Sequence, residues 1–149
     1  MATTDFTTTI VVEKAATEVF NAINNVRAWW QGEIEGDTNK LDDEFIYRMG
    51  EVHYSKQQII ELIPNEKIVW LVTDSKLNPL KFKDESEWTG TQIVFEIIEI
   101  NNKTQVRFTH LGLIPAFECY GDCSWAWGQL IEESLFSLIT TGEGVNVFG

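Results

Sequence analysis

Proton-transfer chemistry near neutral pH needs a group that titrates there, and His110 is one of the 2 histidines in the chain. It continues the alternation Val106, Phe108, His110, so a strand would turn it to the same side as the two apolar side chains before it. Two readings stand for it: a general base or ligand contact, or a strand-end histidine bonded to backbone. The sequence offers it no obvious partner, and the second reading is the plainer one. His53 follows the turn pair Gly50-Glu51 and is expected to be exposed. Cys119 and Cys123 are four apart and can share a helix face, but zinc motifs join two such pairs at set spacing. His53 and His110 supply no second pair, so no metal is expected. Glu118 and Asp122 flank the cysteines, and nearby anions raise a thiol pKa, so these thiols are expected to be reduced and unreactive.

Carboxylates cluster at Glu33, Glu35, Asp37, Asp42, Asp43 and Glu44. An acid/base pair needs one carboxyl in an apolar setting that raises its pKa. These stand among Gly36, Thr38, Asn39 and Lys40, a loop composition, and read as solvated charge. Glu96 and Glu99 fall between apolar strand positions and should point outward. The sequence has no G-x-G-x-x-G, phosphate-binding loop, nucleophile elbow or H-E-x-x-H. The absence of any catalytic motif weighs against an enzyme, and no cofactor is expected.

Aromatic residues are the other candidates. The chain carries 6 Trp, 3 Tyr and 9 Phe, and many fall on apolar faces of predicted elements. Each buries ~150–250 Å² when packed, so filling a core is the ordinary use. The alternative is an aromatic-walled pocket, for which Trp30, Tyr47, Trp70, Phe95, Phe108, His110 and Trp127 are the candidate ligand-binding residues.

The elements that would position them follow from periodicity. Phe6 to Val12 alternates as a strand, and Val19, Phe20, Ile23 and Val26 then take helical spacing to about Asn24-Asn25. A second short turn carries Ala28, Trp29 and Trp30, and Gly32 breaks it. Strand signals follow through Phe45–Met49, Tyr54–Ile63 and Lys67–Thr73, the last apolar on both faces. Asp74 to Gly90 reads as a long polar irregular stretch holding Leu77, Leu80, Phe82 and Trp88. Ile93, Phe95 and Ile97 alternate into an Asn101-Asn102 turn, and Val106, Phe108 and His110 alternate back, the clearest hairpin in the chain. Trp127, Leu130, Ile131, Leu135, Leu138 and Ile139 then keep one helical stripe, with Asp122 as the expected N-cap and Gly142 at its end. This order predicts an α+β fold: a curved antiparallel sheet wrapped around a long C-terminal helix, with two short helices after the first strand. A sheet curved about one helix leaves a gap where ligands bind.

Length and charge bound the partners. At 149 residues and 44% hydrophobic, residues 1–149 read as a single domain able to build its own core. Its 11 Lys+Arg against 23 Asp+Glu, a formal charge of −12, disfavours nucleic acid and anionic membrane surfaces. No signal-peptide pattern or membrane-length apolar run appears, and a cytoplasmic location is expected.

The layout resembles the START-like (SRPBCC, helix-grip) superfamily, in the branch related to the C-terminal domain of the activator of heat-shock protein 90 ATPase. The likeness rests on Ala16–Phe20 with Trp29-Trp30, then Trp88-Thr89-Gly90-Thr91 entering a strand. It continues through Thr109-His110-Leu111-Gly112-Leu113, Trp127, Glu133-Ser134-Leu135 and Thr141-Gly142-Glu143-Gly144. The resemblance implies a cavity between the C-terminal helix and the sheet, and hence binding of a small, mostly apolar molecule. It also implies a protein-interaction alternative, a co-chaperone-like ATPase activator with a chaperone partner. The sequence shows no counterpart of the separate N-terminal docking domain of the full activator, which ranks that alternative second. Relatives in the superfamily that are cyclases or hydrolases make catalysis a third alternative.

Overall fold

The computed structural model describes residues 5–51, 53–77, 83 and 86–148. Among them, strands β1 (Phe6–Val12), β2 (Glu33–Gly36), β3 (Glu44–Met49), β4 (His53–Ile63), β5 (Lys67–Leu77), β6 (Gln92–Ile100) and β7 (Lys103–Leu111) form one antiparallel sheet. Its order is β1-β7-β6-β5-β4-β3-β2, a meander in which the first strand closes against the last. Helices α1 (Ala16–Asn24) and α2 (Val26–Trp29) separate β1 from β2. A continuous helix then runs from Tyr120 to Thr141 as α3 (Tyr120–Gln129), a π-helical segment (Leu130–Leu135) and α4 (Phe136–Thr141). The predicted fold class is the one observed.

The Asn101-Asn102 hairpin forms as its residues require. Both asparagines take positive φ, 51° and 68°, the geometry of the two-residue turn whose twist matches paired strands. The turn sets Phe95 opposite Phe108 and Ile93 opposite His110, so all four share the concave face. The C-terminal stripe is also buried as its spacing predicts: Trp127, Leu130, Ile131, Leu135, Leu138 and Ile139 all lie in the core. Gly142 ends the helix at φ 92°, a left-handed position.

Four local expectations need correction. The helix begins at Tyr120 after Cys119, so Asp122 sits within the first turn and is not the N-cap; its carboxylate still opposes the positive helix end. The stripe is not uniformly α-helical, because Leu130–Leu135 adopts the wider π turn. The segment Glu33–Gly36 is a short edge strand rather than loop, although its carboxylates do face solvent and Glu35 pairs with Arg48 at 3.0 Å. Finally, β5 continues through Asp74–Leu77, a stretch that reads as irregular in the sequence. The cause is a register shift: Gln57 pairs with Val72 and Lys56 with Asp74, so Thr73 is an extra residue that breaks the alternation. Beyond it Ser75 and Leu77 turn inward again and are buried. Leu80 and Phe82 lie outside the described residues.

Gly32 shows how tightly α2 is joined to the sheet. Its φ is +144°, and a Cβ there would fall 2.6 Å from the Tyr47 ring and 2.8 Å from the Arg48 carbonyl oxygen. Only glycine fits without displacing Tyr47. Gly32→Ala should therefore lower stability by ~1–3 kcal/mol, read as a shift in the denaturation midpoint. An unshifted midpoint would mean that the approach is looser than these distances imply.

Candidate functional site

One cavity of about 420 Å³ opens between the sheet and the N-terminal half of the long helix. That size suits a small organic molecule. The strands contribute Tyr47 and Met49 from β3, His53 from β4 and Leu77 from β5. The helix contributes Ala126, Trp127 and Leu130, and Trp30 and Trp88 close the inner walls. Asp122, Cys123, Trp125 and Phe148 complete the lining; Trp125 is 57% exposed, which puts it at the mouth.

The rings interlock. Trp30 stacks on Tyr47 with centroids 4.0 Å apart, and Trp88 stacks on Trp127 at 5.7 Å. The His53 ring bridges these pairs edge-on, 5.1 Å from Tyr47 and 4.6 Å from Trp88. At the mouth Trp125 and Phe148 lie 6.1 Å apart. Phe148 is held there because its backbone N–H and that of Val147 both donate to Gln31 Oε1, at 3.1 and 2.7 Å. The Tyr47 hydroxyl donates to the Gln31 carbonyl, so one residue ties the C-terminal tail to the cavity wall. Burial raises the Tyr47 pKa well above the ordinary phenol value, which keeps that hydroxyl a donor.

The seven candidate residues divide between the lining and the core. Trp30, Tyr47 and Trp127 line the cavity. Trp70, Phe95, Phe108 and His110 are fully buried behind it: Trp70 stacks on Trp30 at 6.0 Å, Phe108 meets Trp127 at 4.7 Å, and Phe95 meets both Trp70 and Phe108. They support the lining residues from the rear.

His110 has side-chain partners that its sequence neighbourhood does not reveal. The Trp127 indole N–H donates to His110 Nδ1 at 3.0 Å. An indole nitrogen can only donate, so Nδ1 is unprotonated and the neutral ring carries its proton on Nε2. Nε2–H then donates to Thr91 Oγ1 at 2.8 Å, and the Thr91 hydroxyl donates to the Trp88 carbonyl at 2.5 Å. Burial, with a smaller contribution from His53, lowers the His110 pKa to about 3. With both nitrogens committed, His110 is a positioning residue for Trp127 and for the Trp88 backbone.

His53 corrects another expectation, since it is partly buried and faces the cavity instead of solvent. Its Nε2 lies 3.1 Å from Ser55 Oγ, which also accepts from Gln57 Nε2. Burial takes its pKa down to about 3, so the ring is neutral at physiological pH.

Cys119 and Cys123 are free thiols, and no group of three metal-ligating side chains occurs among the described residues. The Cys123 thiol is pushed up above its ordinary range, first by the adjoining Cys119 thiol, then by burial, with Asp122 a minor contributor. It should therefore alkylate with iodoacetamide far more slowly at pH 7.5 than a free cysteine does. Rapid labelling of Cys123 in the folded protein would contradict this.

Met49, Leu77, Trp88, Trp125 and Phe148 are lining residues that the sequence did not single out. Met49 shares the alternation of Phe45 and Tyr47, so that signal was present. Trp88 sits in a turn before β6 and Phe148 in a tail, where periodicity carries no information.

Known proteins share this architecture. The solution structure of the Aha1 dimer from Colwellia psychrerythraea is similar with a TM-score of 0.75 and 20% identity, covering 97% of this chain and 100% of that one. Protein MLL2253 from Mesorhizobium loti aligns at a TM-score of 0.68 and 12% identity, over 93% and 99% of the two chains. DynU16, a putative protein in the dynemicin biosynthetic locus, aligns at 0.67 and 12%, over 96% of this chain and 49% of its own. At such identities these likenesses establish the fold alone, an antiparallel sheet curved around a long C-terminal helix. No curated protein sequence matches the chain. The model of one family, "Activator of Hsp90 ATPase homolog 1-like protein", matches residues 15–140. The chain belongs to that family.

Proposed function

We propose that this protein is a binding module that holds a small, mostly apolar molecule in the cavity between its C-terminal helix and the sheet. The observation that carries the reading is the cavity itself: about 420 Å³ walled by Trp30, Tyr47, Trp88 and Trp127. Apolar walls of this kind favour an apolar occupant by removing its surface from water, at roughly 25 cal/mol per Å². The two histidines near the cavity are neutral and hydrogen-bonded, an arrangement suited to a fixed wall more than to proton transfer. Native mass spectrometry of freshly purified protein tests the proposal. A co-purified small molecule released on denaturation supports it, whereas an apo mass combined with no uptake from a library of apolar metabolites counts against it.

A protein-interaction role is the second reading. It draws on the name of the family and on Ile60 and Ile98, both exposed on the outer face of the sheet. A chaperone ATPase is the partner that name suggests. Stimulation of such an ATPase that is abolished by Ile98→Ser and untouched by cavity substitutions would favour it.

A further inference from the structure

The polar groups around the cavity differ in whether they have a partner. The Trp127 indole N–H donates to His110 Nδ1, and the Tyr47 hydroxyl donates to the Gln31 carbonyl. His53 Nε2 is paired with Ser55 Oγ. The Trp88 indole N–H is buried and has no hydrogen-bond partner among the described residues. A buried donor left unpaired keeps the penalty of its lost hydration, and an indole nitrogen can be satisfied only by an acceptor. The Trp70 indole N–H is also unpartnered, but Trp70 is enclosed in the core behind Trp30 and does not line the cavity.

Packing prevents Trp88 from turning to find a partner. Its ring stacks on Trp127 at 5.7 Å and meets the His53 and His110 rings in edge-to-face geometry at 4.6 and 4.7 Å. Its carbonyl accepts from the Thr91 hydroxyl at 2.5 Å and from the Thr91 backbone N–H at 3.0 Å, which fixes the backbone as well. The Trp88 N–H lies on the side of Cys123, another lining residue: the Cys123 thiol pKa, raised first by Cys119, is brought back in part by that N–H. A protonated thiol is a weak acceptor, and this contact falls short of a hydrogen bond. The aromatic wall thus holds a fixed donor ready for an acceptor that a ligand can supply. A carbonyl oxygen does so without bringing a proton, whereas a hydroxyl or amine would carry in a further donor needing its own acceptor.

We infer that the ligand is an apolar molecule carrying a carbonyl group, bound with its carbonyl oxygen accepting from Trp88 Nε1–H and its body against Trp30, Tyr47 and Leu130. This rests on the cavity being the binding site, and the test separates the two claims. Two probes of matched shape are 2-acetylnaphthalene and 2-isopropenylnaphthalene, in which a methylene group replaces the ketone oxygen. Each is titrated into protein with isotope-labelled tryptophan and followed by heteronuclear NMR, the Trp88 indole signal being assigned by its loss in a Trp88 variant. The ketone should move the Trp88 indole proton further downfield than the alkene does, because a hydrogen bond deshields it. Trp88→Phe should lower the ketone-to-alkene affinity ratio by about threefold to tenfold. Trp88→3-benzothienylalanine, which keeps the ring shape with sulfur in place of N–H, should lower it equally and serves if Trp88→Phe fails to fold. A ratio unchanged in the benzothienyl variant, or a Trp88 indole proton that responds alike to both probes, overturns the carbonyl inference while leaving the cavity reading intact. If neither probe binds the wild-type protein, both claims fall.

Discussion

Acidification from pH 7 to pH 5 should remove on the order of 2 kcal/mol of folding stability through His110 alone. In the folded protein its pKa is about 3, whereas an unfolded histidine titrates near 6.5. Between those values the unfolded chain binds a proton that the folded chain refuses, so stability is complete above about pH 6.5 and drains away as pH falls toward 3. His53, with the same direction of shift but less complete burial, adds a smaller share. Protonating His110 would also force Nδ1 to become a donor facing the Trp127 indole N–H, breaking that hydrogen bond. Urea unfolding at pH 7, 6 and 5 measures the effect. His110→Gln, whose amide can both accept from Trp127 and donate to Thr91, should flatten the dependence by roughly the His110 share. A wild-type stability that is level from pH 7 to 5 would contradict the neutral, buried assignment.

Leu135→Ala is expected to cost ~2–5 kcal/mol. Leu135 is 0% exposed and ends the π-helical segment, in a helix whose neighbouring Leu130 and Ile131 are equally enclosed. Ser134 beside it donates to the Trp29 carbonyl at 2.8 Å, which fixes the helix against α2 and limits collapse into the space left by a shortened side chain. A cavity that cannot close keeps its full cost. Trp125→Ala, at the exposed mouth, serves as the contrast and should shift stability by under about 0.5 kcal/mol. A Leu135→Ala midpoint equal to wild type would mean that this helix is not the cover of the sheet.

What the sequence made legible follows from where its periodicity was intact. The β6–β7 hairpin was legible because Asn101-Asn102 marks a two-residue turn between two alternating runs, while its register, with Phe95 opposite Phe108, is supplied by the structure. The helix stripe from Trp127 to Ile139 was equally readable, since a π turn widens the helix without moving those residues off the buried face. The end of β5 was hidden by the extra residue Thr73, and with it the inward turn of Leu77. The candidate site was half legible for a related reason. Alternation tells which face a side chain takes, and all the strand candidates do face inward. It does not tell how far along the strand the helix stops packing, and that distance separates Tyr47, in the lining, from Phe95 and Phe108, in the core. His53 was misread because the turn before it looks solvent-exposed, while the partners that bury it, Tyr47 and Trp88, come from β3 and from a distant turn.

Whether the cavity takes an apolar molecule can be measured most directly with N-phenyl-1-naphthylamine, an uncharged probe that fluoresces on leaving water. Ala126 lines the cavity from the helix, and Ala126→Phe would place a ring in the space the probe needs. Ile60→Ser changes the opposite, outer face of the sheet. Wild type should show saturable binding with one probe per chain, Ile60→Ser should match it within about twofold, and Ala126→Phe should weaken it by at least about tenfold. Probe affinity that survives Ala126→Phe in a folded protein, or that falls with Ile60→Ser instead, would contradict the cavity as the binding site.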